Sequence, residues 1–135
     1  MAQRRAIQVP PNCDLTLGMR CLDKSTPGLS VWEMVAGEEF ANPAGILQGG
    51  ILGAFADSAM GAAAVTFASG RKVFVANAEM KVSFLAAVKI GETLTCTAQV
   101  VSGGSRVAFV ESSIATSDGR LVGRTSSTYL YRERN

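Results

Sequence analysis

Asp57 is the only ionisable residue in the segment 41–70, which is otherwise almost wholly apolar. Burying a lone carboxylate costs several kcal/mol unless hydrogen bonds or a proton compensate its charge, so its position requires a reason. Gly49, Gly53 and Gly61 repeat at intervals of four residues around Asp57 and would share one stripe of a helix with it. A glycine stripe alone can serve only to pack a helix close to a sheet. A carboxylate within that stripe favours catalysis.

The pair Gly49-Gly50 lies where the apolar helix is predicted to begin. The first N–H groups of a helix have no partner within it, and aligned dipoles give this end about half a positive charge. Such donors can polarise a carbonyl oxygen, and without a Cβ a substrate can approach them closely. Asp57 follows by just over two turns, about 12 Å along the axis, so one helix cannot bring both groups to one carbonyl. We therefore expect Asp57 of one subunit to meet the Gly49 amide of another at a dimer interface.

The sequence contains no histidine. Its absence excludes Ser-His-Asp and Cys-His catalysis and histidine metal sites, and it disfavours hydratases and dehydratases that depend on a histidine. A carboxylate remains, which can act as a base on water or as a direct nucleophile.

Composition narrows the class of protein further. The chain has 135 residues, of which 47% are hydrophobic, and this suits a single domain over residues 1–135. A net charge of +2 with scattered basic residues disfavours a nucleic-acid partner but suits an anionic small molecule. Cys13, Cys21 and Cys96 follow no metal-binding spacing and predict reduced thiols in a cytoplasmic protein.

The apolar segment is long enough to be considered as a membrane span. Pro43, the glycines and Asp57 favour instead a buried helix of a soluble protein, so we expect no membrane partner. The first residues lack the apolar stretch of a secretion signal.

Hydrophobic periodicity predicts one long helix and five strands. The helix covers about Gly49–Ala68 and ends at Ser69-Gly70. Alternating apolar and polar residues predict strands over residues 30–40, 73–85, 92–101, 106–116 and 121–131. Residues 1–15 are polar and interrupted by proline, and we expect a flexible arm there.

A helix that is apolar on all sides must be buried on all sides, and the surface that this chain offers is its own sheet, to which a second subunit can add cover. The predicted fold class is therefore α+β, with a long central helix wrapped by a curved antiparallel sheet. The outer strands leave an edge that a second copy could extend, so we expect a homo-oligomer.

In the strand after the helix, strict alternation assigns the side chains to two faces. Phe74, Ala76 and Phe84 are predicted on the apolar face, with Phe84 in the core rather than in an acyl pocket. Asn77 and Lys81 are predicted on the polar face.

The segment Asn42-Pro-Ala-Gly-Ile-Leu-Gln48-Gly49-Gly50, followed by Asp57 and then by AEMKVSFLAAVKIGETL, resembles the hotdog-fold acyl-CoA thioesterases of the phenylacetate-degradation (PaaI-like) type. The similarity covers about Asn42 to Tyr131. It implies a hotdog fold, dimers formed through a continued sheet, and pairing of dimers into a homotetramer. It also implies hydrolysis of acyl-CoA thioesters without a metal or cofactor.

The resemblance also implies roles for single residues. Asp57 would be the nucleophile or general base, and the Gly49 amide would polarise the thioester carbonyl, with Gly50 beside it. Asn42 corresponds to an asparagine that lines the reacting centre and places water or the thioester. Asn77 lies where relatives carry a serine or threonine that holds the water.

Gln48 departs from the usual His-Gly-Gly pattern of that family. Glutamine keeps a donor and an acceptor but cannot change its charge near neutral pH, so an orienting role survives and proton transfer does not. The alternative is a loop amide that only caps local backbone.

Candidates for binding the CoA phosphates are the basic residues after the helix and near the turns, although each can also be an ordinary solvated charge. They are Arg71, Lys72, Arg106, Arg120 and Arg124.

The expected function is hydrolysis of a small aryl or medium-chain acyl-CoA by water that Asp57 activates, releasing a carboxylic acid and CoA. The alternative is a non-catalytic acyl-CoA-binding or regulatory protein with the same fold.

Overall fold

The computed structural model describes residues 8–134, so residues 1–7 of the predicted N-terminal arm lie outside the described part. Two α-helices, a short 3-10 helix and six strands lie within the described residues. In chain order they are α1 (Asn12–Leu17), β1 (Arg20–Asp23), β2 (Leu29–Val35), the 3-10 helix (Glu38–Phe40), α2 (Gly49–Phe67), β3 (Val73–Phe84), β4 (Thr93–Gly103), β5 (Val107–Thr116) and β6 (Leu121–Glu133).

The strands form one antiparallel sheet in the order β1-β2-β4-β5-β6-β3. Strands β4, β5 and β6 follow one another as hairpins, and Gly119 turns the last hairpin with a φ of 85°, as the Asp118-Gly119 pair predicts. Strand β3 lies beyond β6, so β3 and the short β1 are the two edges of the sheet within residues 8–134.

Helix α2 packs on one face of the sheet and contacts strands β2 to β6. Five strands span about 19 Å, roughly twice the width of a helix, so a sheet whose strands all reach one helix must curve around it. Phe55 and Met60 of the helix are fully buried against Met34, Leu94 and Ile114 of the sheet. A long central helix wrapped by an antiparallel sheet is the α+β architecture predicted from the sequence.

The prediction that α2 is buried on all sides is wrong for a single chain. One side of the helix stays exposed and carries Gly50, Ala54, Asp57 and Val65. The physical reason is that one sheet covers only one side of a helix, which leaves the other side open to solvent or to another subunit. By its length and its mean hydropathy of 1.4 the helix could cross a membrane, but its buried side packs as that of a core helix does.

Strand β3 contains a β-bulge that the sequence pattern does not show. Consecutive residues of β6 pair with Asn77 and Glu79, so Ala78 is the extra residue. An extra residue turns the preceding side chains to the opposite face. The face assignment was therefore wrong before the bulge: Phe74 and Ala76 are exposed, and Asn77 faces α2.

The region before β2 is more ordered than predicted. Helix α1 occupies part of the expected arm, buries Leu17 in the core and ends at Gly18 with a φ of 71°. Strand β1 pairs with β2. Elements this short contain too few apolar residues for periodicity to reveal them. The strand predicted over residues 30–40 ends at Val35, where the chain turns into the 3-10 helix.

Candidate functional site

The carboxylate of Asp57 is exposed on α2, beside the edge strand β3. Its Oδ1 atom accepts two hydrogen bonds, from the Tyr129 hydroxyl at 2.6 Å and from Asn77 Nδ2 at 3.0 Å. Within residues 8–134, no protein group donates a hydrogen bond to the other oxygen, Oδ2. The lone charge is thus compensated at one oxygen and accessible at the other.

Asn77 lies in direct contact with Asp57, because the bulge turns its side chain toward the helix. The same Nδ2 atom lies 3.3 Å from both Ser127 Oγ and the Tyr129 hydroxyl. The structure therefore brings two predicted site residues together. The observed partner of the Asn77 amide is the carboxylate itself, whereas its role in holding water remains a prediction.

The predicted helix start is correct, since α2 begins at Gly49 after Gln48. The N–H groups of Gly49 and Gly50 have no backbone acceptor among the described residues, as the end of a helix requires. Gln48 has an extended backbone, and its N–H donates to the Phe40 carbonyl at 2.9 Å. Its side chain is exposed and does not cap the helix, so the alternative of a capping amide is wrong at this helix end.

A groove of about 330 Å³, lined mostly by apolar residues, opens beside Gly49. Leu52, Phe84, Leu85 and Val88 supply much of its wall. The prediction that Phe84 belongs to the core is wrong, because 58% of the residue is exposed and its ring lies against Gly49. The physical reason is that Phe84 is the last residue of β3, where neighbouring strands no longer cover the side chain.

Asn42 also lines this groove. Its Oδ1 accepts hydrogen bonds from the N–H groups of Ala44 at 2.9 Å and Ile46 at 3.3 Å. The side chain thus folds the loop that precedes α2, as asparagine does in turns. Its placement beside Gly49 agrees with the expected location, while a contact with the reacting centre remains a prediction.

The stripe of small residues on α2 faces strand β3, and the two elements run in opposite directions. Along them, Gly49 lies against Phe84, Gly53 against Val82, Asp57 against Asn77, and Gly61 against Val75. A Cβ at Gly53 or Gly61 would meet only ordinary contacts, at 3.8 and 3.7 Å, so close packing does not require these two glycines. Asp57 and Gly49 lie about 12 Å apart along the helix axis and cannot act on one carbonyl within one chain.

The basic residues predicted to bind phosphate are scattered. Arg71, Lys72 and Arg106 lie near the end of α2, about 27 Å from Gly49 along the helix axis. Arg71 is 2.6 Å from Glu133 and stacks over the Tyr131 ring. The structure of one chain therefore does not bring these three residues to the Gly49 end.

Two other arginines lie closer to the groove. Arg120 contacts Glu92 at 2.8 Å and donates to the Ala87 carbonyl at 3.1 Å, so it fixes the wall of the groove. Arg124 lies with Lys81 in a second groove of about 260 Å³ on the outer face of the sheet. Leu85 lines both grooves, which makes them neighbours around the edge of β3.

Sequence reasoning missed Tyr129, which is 2% exposed. Burial raises the pKa of Tyr129, and the hydrogen bond to Asp57 and its negative charge raise it further, so the hydroxyl keeps its proton. A signal for this contact exists in the sequence. Alternation along the last strand points Tyr129 inward, a buried tyrosine hydroxyl needs a partner, and Asp57 is the only carboxylate on the helix.

Both the sequence and the structure of this chain are similar to those of known proteins. Residues 44–131 match the family described as the Thioesterase superfamily. Human acyl-coenzyme A thioesterase 13 is 26% identical over 125 residues, which cover 92% of this chain and 88% of that protein. The structure resembles Escherichia coli PaaI, from the phenylacetic acid degradation operon, with a TM-score of 0.84, 22% identity and coverage of 90% of this chain and 85% of that one.

A hypothetical thioesterase from Streptococcus pneumoniae TIGR4, solved with coenzyme A, has a TM-score of 0.78 and 19% identity, covering 87% of this chain and 90% of that one. The two structural likenesses confirm the predicted hotdog fold, and the family match confirms the predicted class of enzyme, a thioester hydrolase. The protein belongs to the thioesterase superfamily.

Proposed function

We propose that this protein is an acyl-CoA thioesterase in which Asp57 is the general base. The observation that carries the proposal is the Asp57 carboxylate, which two donors hold at Oδ1 while Oδ2 stays accessible on the exposed side of α2. A fixed carboxylate with one open oxygen is suited to take a proton from water. The names of the relatives, an acyl-coenzyme A thioesterase and a thioesterase solved with coenzyme A, support the choice of substrate.

In the proposed reaction, Asp57 Oδ2 takes a proton from water as the water oxygen attacks the thioester carbonyl. The carbonyl π electrons move to oxygen, where the N–H of Gly49 stabilises the negative charge. When the tetrahedral intermediate collapses, the bond between carbon and sulfur breaks and CoA leaves as a thiolate. The proton on Asp57 passes to the thiolate, so the products are a carboxylic acid, which ionises in water, and CoA.

The groove beside Gly49 supports the proposal that the substrate has an apolar acyl group. A volume of about 330 Å³ corresponds to about ten atoms of the size of water. Such a space suits a small aryl or a medium-chain acyl group, and the apolar wall formed by Leu52, Phe84 and Val88 disfavours a charged one. We propose that the acyl group lies there, with its carbonyl at the end of the helix.

The separation of Asp57 and Gly49 supports an active site shared by two copies. Because β3 is an edge strand, it can pair with β3 of a second copy. Asp57 lies over Asn77, and Gly49 lies over Phe84. For Asp57 of one copy to meet Gly49 of the other, Asn77 must therefore lie opposite the partner's Phe84. An antiparallel pair of β3 strands centred on Lys81, with Ala78 as the extra residue of each strand, meets this requirement. In such a pair, residues that lie opposite each other point to the same face of the sheet.

This register predicts a specific cross-link. In a variant without the exposed Cys13 and Cys21, Lys81→Cys should form a disulfide between two copies, because a residue on the two-fold axis faces itself. Glu79→Cys is the matched control, since residue 79 would face residue 83 of the other copy and should not cross-link to itself. A disulfide at residue 79 but not at residue 81 would contradict the register.

Hybrid dimers test the shared site. Gly49→Pro deletes the N–H at the first helical position, where proline is tolerated, and the extended backbone of Gln48 suits a following proline. Asp57→Asn deletes the base. Neither variant should be active alone, whereas mixing and refolding them should restore about a quarter of the activity, since half of the dimers would carry one complete site. An inactive mixture that contains hybrid dimers would place both groups in one chain.

The activity itself is tested by release of free thiol from a panel of aryl, medium-chain and short-chain acyl-CoA thioesters. Wild type should hydrolyse at least one member, and Asp57→Asn, verified as folded and oligomeric, should lose about 100-fold or more in kcat. A folded wild-type protein that binds acyl-CoA and hydrolyses none would favour the alternative, a non-catalytic binding or regulatory protein. Activity retained by Asp57→Asn would overturn the mechanism.

We also propose that the CoA phosphates bind at Arg124 and Lys81. Neither side chain forms an ion pair within residues 8–134, unlike Arg71 and Arg120. Their groove adjoins the acyl groove through Leu85. A substrate that passes around the end of β3 at Leu85, beyond the residues paired with the second copy, could therefore occupy both grooves.

A further inference from the structure

The Tyr129 hydroxyl lies close to two oxygen atoms of Asp57. It lies 2.6 Å from Asp57 Oδ1 and 2.9 Å from the main-chain carbonyl oxygen of the same residue. A hydroxyl has one hydrogen, and the shorter distance places it toward the charged oxygen. Because Tyr129 is anchored in the core at 2% exposure, this bond fixes the carboxylate of Asp57 relative to β6.

Asn77 supplies the second donor to the same oxygen, and its orientation has a cost. Its own Oδ1 atom is buried and has no hydrogen-bond partner in the described part of the chain. Reversing the amide would expose this oxygen to Asp57 Oδ1, so two acceptors would repel each other. The amide instead leaves its oxygen unpaired and keeps its donor on the carboxylate, as a residue selected for that contact would.

No other charged group faces the carboxylate from the elements packed against it. Asp57 is the only ionisable residue of α2. On β3, Glu79 and Lys81 belong to the outer face of the sheet, where Glu79 accepts a hydrogen bond from Thr128. Tyr129 of β6 is therefore the titratable group in contact with Asp57 among residues 8–134.

We infer that Tyr129 is a positioning residue for catalysis, which together with Asn77 occupies Oδ1 of Asp57 and makes Oδ2 the oxygen that reacts. This inference rests on the proposed function of Asp57. With both donors on one oxygen, the carboxylate cannot rotate freely, and Oδ2 keeps a fixed direction toward the substrate.

The test is Tyr129→Phe, with Tyr131→Phe as the matched control. Both tyrosines lie on β6 and donate to α2, but the Tyr131 hydroxyl meets the Ala64 carbonyl and no carboxylate. Loss of the Tyr129 hydroxyl should lower kcat about tenfold with little change in KM, because the hydroxyl does not touch the substrate. Tyr131→Phe should change neither.

A merely structural role for Tyr129 would lower stability in both variants alike and leave kcat the same in both, which would overturn the inference. Should Tyr129→Phe not fold, Asn77→Ala removes the other donor and should lower kcat in the same way, with little change in KM. An unchanged kcat in that variant would overturn the inference equally. Asp57→Asn separates the two proposals: if that variant keeps its activity, the proposed function fails, whereas the positioning role fails on the kcat of Tyr129→Phe alone.

Discussion

The aromatic ring of Phe84 lies so close to Gly49 that a Cβ on the glycine would come within 3.0 Å of the ring. The first residue of α2 and the last residue of β3 are thus in contact, at the mouth of the apolar groove. This contact explains why the helix begins with glycine. A larger residue would have to displace the ring and would cover the amide that we propose polarises the thioester carbonyl.

Gly49→Ala should therefore reduce activity without unfolding the protein. Phe84 is half-exposed and can move aside, so we expect a change in unfolding free energy within about 1 kcal/mol. The ring and the new methyl group should displace the thioester carbonyl and lower kcat/KM about tenfold or more. The measurements are thermal unfolding and thiol release.

The control for this substitution is Gly53→Ala. Its Cβ would lie 3.8 Å from Val82, an ordinary contact, and alanine favours the helix by up to about 1 kcal/mol. This variant should be at least as stable as wild type and as active. Equal losses of activity in both variants would show that α2 tolerates no added methyl group on this stripe, and that Gly49 has no special part.

Phe84 itself should determine which acyl groups are accepted. Phe84→Ala removes a large part of the groove wall, so kcat/KM for aryl or medium-chain thioesters should fall about tenfold relative to acetyl-CoA. Phe109→Ala is a suitable control, because Phe109 is similarly exposed, at 52%, but lies on β5 outside the groove. An unchanged ratio between the substrates would place the acyl group elsewhere.

Gln48 should contribute little to stability. Its side chain is exposed and makes no cap, so Gln48→Ala should alter the unfolding free energy by no more than about 0.5 kcal/mol. If the side chain only orients the substrate, kcat/KM should fall by less than about tenfold. A loss of 100-fold or more, with unchanged stability, would give this glutamine a direct part in the chemistry.

The sequence was sufficient to predict the helix, its first residue and its carboxylate. These features depend on local patterns: an apolar segment of helical length, a glycine pair at its start and one charge within it. The strands β4 to β6 were predicted for the same reason, since alternation and turn residues define consecutive hairpins. The separation of Asp57 and Gly49 followed from helix geometry alone.

The surroundings of Asp57 could not be predicted in the same way. The bulge at Ala78 arises from pairing between β3 and β6, which are far apart in sequence, and it decides that Asn77 faces the helix. The contact with Tyr129 also requires the order of strands, because β6 lies beside β3 only after the sheet has formed. Local alternation carries no information about register between distant strands.

Arg124 tests the proposed route of the substrate around the end of β3. Arg124→Ala should raise KM for an acyl-CoA about tenfold, as loss of a charge-assisted contact does, and should leave KM unchanged for the matching N-acetylcysteamine thioester, which has no phosphates. Added salt should reduce the difference. Lys24→Ala is the control, since Lys24 stacks over Trp32, outside both grooves. A higher KM for both substrates would point to a change in the acyl groove instead.

Alkaline pH should unfold the protein and ionise its tyrosines in one transition. Burial raises the pKa of both tyrosines of the chain, Tyr129 and Tyr131, and raises the pKa of the Cys96 thiol to about 12. In the unfolded chain these groups lose their protons near pH 8.5 to 10, as the reference values of about 8.5 for cysteine and 10 for tyrosine indicate. Above that range the unfolded state binds fewer protons, so stability that is fully present below it is lost as the pH rises.

The measurement follows phenolate absorbance together with the fluorescence of Trp32, the single tryptophan, which is buried. In Tyr131→Phe, the remaining phenolate signal belongs to Tyr129 alone and should appear only as the tryptophan signal reports unfolding. Free tyrosine in the same buffer gives the reference curve. Ionisation of Tyr129 near pH 10 in a protein whose tryptophan remains buried would contradict both the burial of this hydroxyl and its bond to Asp57.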